Sequence, residues 1–133
     1  LGWSNRITEE ISHEIIIPAM GQGALGIETR LGDTKTYNFI FSLNHEQTNY
    51  EVSAERALVG KLDGGCQVPI GAYAKTEDDL ITLKGLVASL DGKIIHKSEI
   101  VGPIDDAINI GQDLGEELLK MGANEILEKL IQQ

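Results

Sequence analysis

The clearest periodicity begins at Asn44. Ala54, Ala57, Leu58 and Leu62 recur at helical spacing, so a helix is expected with Asn44 as its N-cap and Gly64-Gly65 as its end. Strand-like patterning then covers about 67–75, 80–90 and 93–101, which predicts three strands. Glu77-Asp78-Asp79 and Asp91-Gly92 separate them, and Asp-Gly between two such runs is a strong hairpin signal. Gly102-Pro103 stops the third strand, and Asp105 and Asp106 suit the positive end of a following helix. Ile104, Ala107, Ile108, Gly111, Gly115 and Leu118 form its stripe, whose two glycines predict a close approach to the sheet. Met121-Gly122 supplies a glycine C-cap, and Ala123, Ile126, Leu127, Leu130 and Ile131 mark a final helix. The order αβββαα predicts an α+β fold, a three-stranded antiparallel sheet with helices on one face.

The pattern before Asn44 is a patchwork. Ser4 to Ile11 reads as a short polar helix, Glu14 to Pro18 and Ala24 to Arg30 as brief strands, and Asp33 or Thr34 as the cap of a helix reaching about Leu43. Neither strand has an evident partner within the segment, and a lone strand cannot satisfy its backbone groups. Residues 1–43 are therefore expected to be the weak part of the chain. The ninety residues that follow suffice to bury roughly 60–65% of their unfolded surface.

Composition narrows the function classes. The chain has 41% hydrophobic and 24% charged residues, ordinary for a soluble globular protein. No apolar run approaches the roughly 18 residues that cross a bilayer, and no signal segment opens the chain. It opens on Leu1 rather than Met, which points to a piece of a longer or processed polypeptide. Net charge is −10, with three basic and five acidic side chains over 1–43 and eight and sixteen over 44–133. Neither half has a basic cluster, so nucleic acid and anionic membrane surfaces are not expected partners. A single cysteine argues against a disulfide-stapled secreted protein and fits a cytoplasmic one.

That cysteine is the sharpest candidate for chemistry. Cys66 follows Gly64-Gly65 at a turn, where backbone without Cβ lets a bulky group come close. Two readings are open: a small buried apolar residue, or an accessible thiolate nucleophile. His13, His45 and His96 lie outside the motif, which weakens a Cys-His hydrolase, and no other soft ligand supports zinc. Gly21-Gln22-Gly23-Ala24-Leu25-Gly26 matches the dinucleotide fingerprint G-x-G-x-x-G, but strand-like residues follow it instead of a helix. It reads better as a crossover between two bodies. Glu77 to Asp79 and Glu116-Glu117 read as solvated surface.

Three blocks together resemble the porphobilinogen deaminases, also called hydroxymethylbilane synthases. They are Ile17-Pro18-Ala19-Met20-Gly21-Gln22-Gly23-Ala24-Leu25-Gly26-Ile27-Glu28, Ser53-Ala54-Glu55-Arg56-Ala57-Leu58, and Gly64-Gly65-Cys66-Gln67-Val68-Pro69-Ile70-Gly71-Ala72-Tyr73-Ala74. The resemblance covers nearly the whole chain but only the C-terminal portion of that enzyme. It implies that 1–20 end the second domain, that 21–43 are the hinge and a return segment of the first, both α/β, and that 44–133 are the cofactor-carrying α+β domain. It further implies a thioether from Cys66 to dipyrromethane, with Gly65 beside it and Gln22 near the pyrrole chain. The implied reaction joins four porphobilinogen molecules into hydroxymethylbilane, for which a growing polypyrrole chain is the ligand and the N-terminal portion of the enzyme the partner. The pyrrole side chains are acidic, so their site needs several arginines, and this chain has Arg6, Arg30 and Arg56. Arg30 and Arg56 stand where the family has arginine, although pairing with Glu28 or Glu55 would give each a structural role. The arginine-lined cleft and the catalytic aspartate belong to the N-terminal part, so no catalytic residue is expected here and the fragment alone is expected to be inactive. The competing reading is a non-catalytic α+β ligand-binding or interaction module with an incidental thiol.

Overall fold

Asp33 and His45 open the first two helices. The computed structural model describes residues 2–62 and 69–131, the side chains of Leu130 and Ile131 excepted; Gly64, Gly65, Cys66 and the first residues of the predicted first strand lie outside them. Helix α1 spans Thr34–Ile40, with Asp33 Oδ1 accepting from the Thr36 N–H at 3.1 Å, and a 3-10 turn at Phe41–Leu43 completes the predicted segment. Helix α2 spans Glu46–Lys61 and is capped one residue later than expected. The backbone of Asn44 is extended, and His45 Nδ1 accepts from the Thr48 N–H at 3.3 Å.

Strands β1 (Ile70–Glu77), β2 (Leu80–Ala88) and β3 (Ile95–Pro103) form an antiparallel sheet in the order β1-β2-β3, with Tyr73 opposite Lys84 and Lys84 opposite Glu99. Asp78 takes the positive φ of 54° that the first tight turn demands, and Gly92 takes 68° in the second. β2 stops short of Leu90 and β3 starts after Lys93 because side chains take over the ladder there. Ser89 Oγ accepts from the Ile94 N–H at 3.0 Å and donates to Asp91 Oδ1 at 2.7 Å.

One face of the sheet carries the core. Ile81, Leu83 and Val87 of β2 and Ala72 and Ala74 of β1 pack against Ala54, Leu58 and Leu62 of α2 and against helix α3 (Ala107–Leu118). Leu58, Ile81, Leu83, Val87, Leu114 and Leu118 are fully buried, each worth roughly 1.5–3 kcal/mol of hydrophobic stabilisation. The buried stripe of α3 is Ala107, Ile110, Gly111, Leu114, Gly115 and Leu118, rotated from the expected one, and Ile108 faces outward. The two glycines approach α2, not the sheet. A Cβ on Gly111 would lie 2.3 Å from Ala54 O, and one on Gly115 would lie 2.7 Å from Lys61 Cβ. Gly122, with φ 108°, closes the helical run, and α4 (Asn124–Ile131) returns Ile126 and Leu127 to the core.

The N-terminal third departs from expectation. Only Ser4–Arg6 of the first predicted helix is helical, as one 3-10 turn, because Ile7 and Ile11 find nothing to pack against and stay exposed. Neither 14–18 nor 24–30 is a strand, since neither has a ladder partner among the described residues. Instead 13–18 form a strap over the sheet face opposite the helices and round its β1 edge. The His13 ring stacks on Tyr73 with centroids 3.9 Å apart and planes at 8°. Glu14 pairs with Lys84, which also lies 3.8 Å from Glu99. Ile17 lies against Gly71, whose Cβ, were there one, would sit 3.0 Å from Ile17 Cγ2.

Candidate functional site

An edge strand leaves every second N–H without a sheet partner. On β1 these include Ala72, Ala74 and Thr76, since Pro69 O accepts from Ala88 N–H on the opposite side. Each finds a different acceptor. The Ala72 N–H donates to Pro18 O at 2.9 Å, the Ala74 N–H to Glu55 Oε1 at 2.9 Å, and the Thr76 N–H to Glu51 Oε1 at 2.8 Å. Glu51 and Glu55 are four residues apart, so α2 presents both on one side, and Glu51 Oε1 also accepts from Thr76 Oγ1 at 2.8 Å.

Glu55 does more than blunt the edge. Its second oxygen accepts from the Gly21 N–H at 2.6 Å. One carboxylate therefore holds α2, β1 and the glycine-rich turn together. It is the one charged side chain buried among the described residues, at 7% exposure. Burial pushes its carboxyl up from the usual range; the N–H groups of Gly21 and Ala74 pull it down, and nearby Glu51 adds a further upward push.

The turn itself needs glycine. Gly21 and Gly23 have φ of 67° and 86°, and the Ala24 N–H donates to Gly21 O at 3.0 Å. Gln22 stands between them with its side chain exposed. No helix follows, in keeping with a crossover rather than a dinucleotide site. Arg30 pairs with Asp33 at 3.2 Å, not with Glu28. Arg56 is exposed and Glu55 turns its carboxylate to backbone, so the two do not form the pair the sequence suggested. Cys66 and Gly65 lie outside the described residues, between the last turn of α2 and the start of β1. Glu51 and Glu55 are the residues that sequence reasoning missed. The available signal was Glu55 beside Ala54 and three residues before Leu58, an acid flanking an apolar helical stripe.

Two family models match the chain. That described as "Porphobilinogen deaminase, C-terminal domain" covers residues 49–120, more than half of it. The chain belongs to the porphobilinogen deaminase family. The model described as "Porphobilinogen deaminase, dipyromethane cofactor binding domain" covers residues 1–38. Among proteins named porphobilinogen deaminase, that of Carboxydothermus hydrogenoformans is 45% identical over 130 residues, 98% of this chain and 42% of its own length. That of Chlorobium limicola is 47% identical over 135 residues, 98% of this chain and 43% of its own length. That of Geotalea uraniireducens is 44% identical over 133 residues, the whole of this chain and 42% of its own length. The chain thus spans about two-fifths of these relatives. Gln22 falls in the segment matched by the family's cofactor-binding model and Cys66 in that matched by its C-terminal model. Gly21–Glu55–Ala74 is one of the ties between those two segments, beside Pro18–Ala72, His13–Tyr73 and Glu14–Lys84.

Proposed function

We propose that this chain is the part of a hydroxymethylbilane synthase that carries the dipyrromethane primer, working in the reducing cytoplasm with the N-terminal portion of the same enzyme. The thiol of Cys66 loses its proton, and its sulfur forms a C–S bond to the methylene of an activated pyrrole, whose amino group leaves as ammonia. The two preceding positions are glycine, which adds no side-chain bulk next to Cys66 in the sequence. When bound, the primer supplies a free pyrrole α-carbon to which further porphobilinogen units are added. Gln22, exposed on its turn, offers an amide N–H to the acidic side chains of the pyrroles.

The observation that carries this reading is the carboxylate bridge. Glu55, from the second motif block, bonds Gly21 in the first and Ala74 in the third. The blocks that define the resemblance therefore meet in space at β1, which follows Cys66 in the sequence. The described residues offer one amide contact, from Gln22, but not a polyanion cleft: Arg30 already serves Asp33. Recognition of the growing chain, and the catalytic carboxylate, are assigned to the N-terminal portion.

Intact mass tests the assignment. The full-length enzyme should carry an adduct of two pyrrole units on the peptide containing Cys66. Cys66→Ser should lose most of the adduct and most of the activity while keeping its fold, because a hydroxyl is a far weaker nucleophile near neutral pH. Normal activity without an adduct would overturn the role of Cys66. An unmodified, inert thiol in the active wild type would favour the incidental-thiol reading.

A further inference from the structure

The geometry points to Glu55 as a positioning residue that fixes the Gly21-Gln22-Gly23 turn, and with it Gln22, in register with β1, the strand that follows Cys66 in the sequence. The inference rests on the proposed cofactor role of Cys66 and Gln22. Four observations support it. Glu55 spends both carboxylate oxygens on backbone N–H groups, at 2.6 Å to Gly21 and 2.9 Å to Ala74, so its geometry is fixed from two sides. Glu55 is buried, and its bond to Ala74 is sheltered from water, while that to Gly21 is partly so. The two residues it holds are remote in sequence, 34 and 19 positions away. The turn has little other support: a Cβ added to Gly21 or Gly23 would meet nothing within 4 Å, and the turn's own backbone bonds are local, from Gln22 N–H to Ala19 O and from Ala24 N–H to Gly21 O.

Gly21 thus reaches the body of the fold through this carboxylate, and Pro18 reaches it through the Ala72 N–H. With the carboxylate replaced, the chain remains tethered at Pro18, while the next turn and its glutamine lose their reference to β1. Removing Glu55 should therefore disturb the geometry between Gln22 and β1 more than the core, because Ala54 and Leu58 still bury the apolar side of α2.

The test uses Glu55→Gln, which keeps size and one acceptor oxygen but turns an NH2 group toward the other backbone donor. In the 133-residue chain, Gly21 amide exchange should rise about tenfold or more while the amides of Leu83 and Val87 stay as protected as before. In the full-length enzyme, Glu55→Gln should still acquire the two-pyrrole adduct. Its kcat per adduct-bearing molecule should fall about tenfold or more, with little change in KM, and Glu55→Asp, too short to span both donors, should not rescue it. Unchanged Gly21 exchange would overturn the bridge. An equal rise at Leu83 and Val87, or unchanged kcat per adduct-bearing molecule, would reduce Glu55 to a structural residue and overturn the positioning role. Absence of an adduct from the wild type is a separate result, which would sink the cofactor reading and leave the exchange arm to be read independently.

Discussion

Two glycines in this chain make opposite demands. Gly111 lets α3 cross α2 at backbone contact: an added Cβ would lie 2.3 Å from Ala54 O and 2.6 Å from Ala57 Cβ. A backbone oxygen cannot swing away, so the helices must part. Gly111→Ala should destabilise the chain by about 3 kcal/mol, at the upper end of small-to-large substitutions in a core. A Cβ on Gly60, near the end of α2, would meet nothing within 4 Å. Gly60→Ala should stabilise by about 0.5–1 kcal/mol through reduced backbone entropy in the unfolded chain. Urea midpoints of the two variants should therefore move in opposite directions; a shift of the same sign would refute the packing argument. Sequence alone marked both glycines of α3 as sites of close approach but named the wrong neighbour. A stripe tells which side of a helix is buried, while the partner is set by how helices share one sheet face. Glu55 was illegible for a related reason, because an acid in a helix pattern reads as solvated surface unless the backbone donors it meets are known.

At the scale of elements, the helices and strands after residue 44 were legible because each has its own apolar face and its own stop signal. The segments 14–18 and 24–30 carry strand-like patterns without being strands, because alternation reports which side chains are apolar, not whether a ladder partner exists. Glu14-Ile15-Ile16-Ile17 became a strap whose end is held by one ion pair. Lys84 holds the Glu14 carboxyl below the usual carboxylate range, chiefly by hydrogen bonding and then by charge, and Glu14 in turn raises Lys84. A folded carboxyl value that is depressed contributes stability above the unfolded value of about 4.3 and loses it as pH falls through the folded value. The raised amine adds a mirror loss as pH climbs past about 10.4. Glu14 is largely exposed, so salt should weaken the pair. The strap should loosen as pH falls below the ordinary glutamate value of about 4.3 and through the lowered folded one, seen as loss of the ring-current shift that His13 imposes on Tyr73. Glu14→Gln should remove that step in acid and leave Tyr73 less shifted at neutral pH. A Tyr73 titration identical in the variant would show that the stack, not the ion pair, holds the strap.

The whole molecule divides by what it does with its apolar residues. After residue 44 they build a core; before it, they mostly face outward. Leu25 is 96% exposed and Phe39 84%, and Ile15, Ile27, Phe41 and Leu43 are also uncovered. Exposed apolar side chains spread over so much of a segment mark a surface made for a partner. The proposed partner is the N-terminal portion of the same enzyme, and the relatives this chain matches over about two-fifths of their length are consistent with that proposal. The strap changes where looseness is expected. Pro18 and Gly21 are bonded to Ala72 and Glu55, so the weak stretch lies beyond them, over about 24–31. In a proven monomer, amides of 24–31 should exchange at close to unstructured rates while those of 81–87 in the central strand stay protected. Adding the N-terminal portion of the enzyme should protect 24–31, and only then should porphobilinogen be consumed. Equal protection of both stretches in the monomer would place 24–31 in the same cooperative unit as the sheet. Turnover by the chain alone would overturn the proposal that the catalytic carboxylate is supplied by the N-terminal portion.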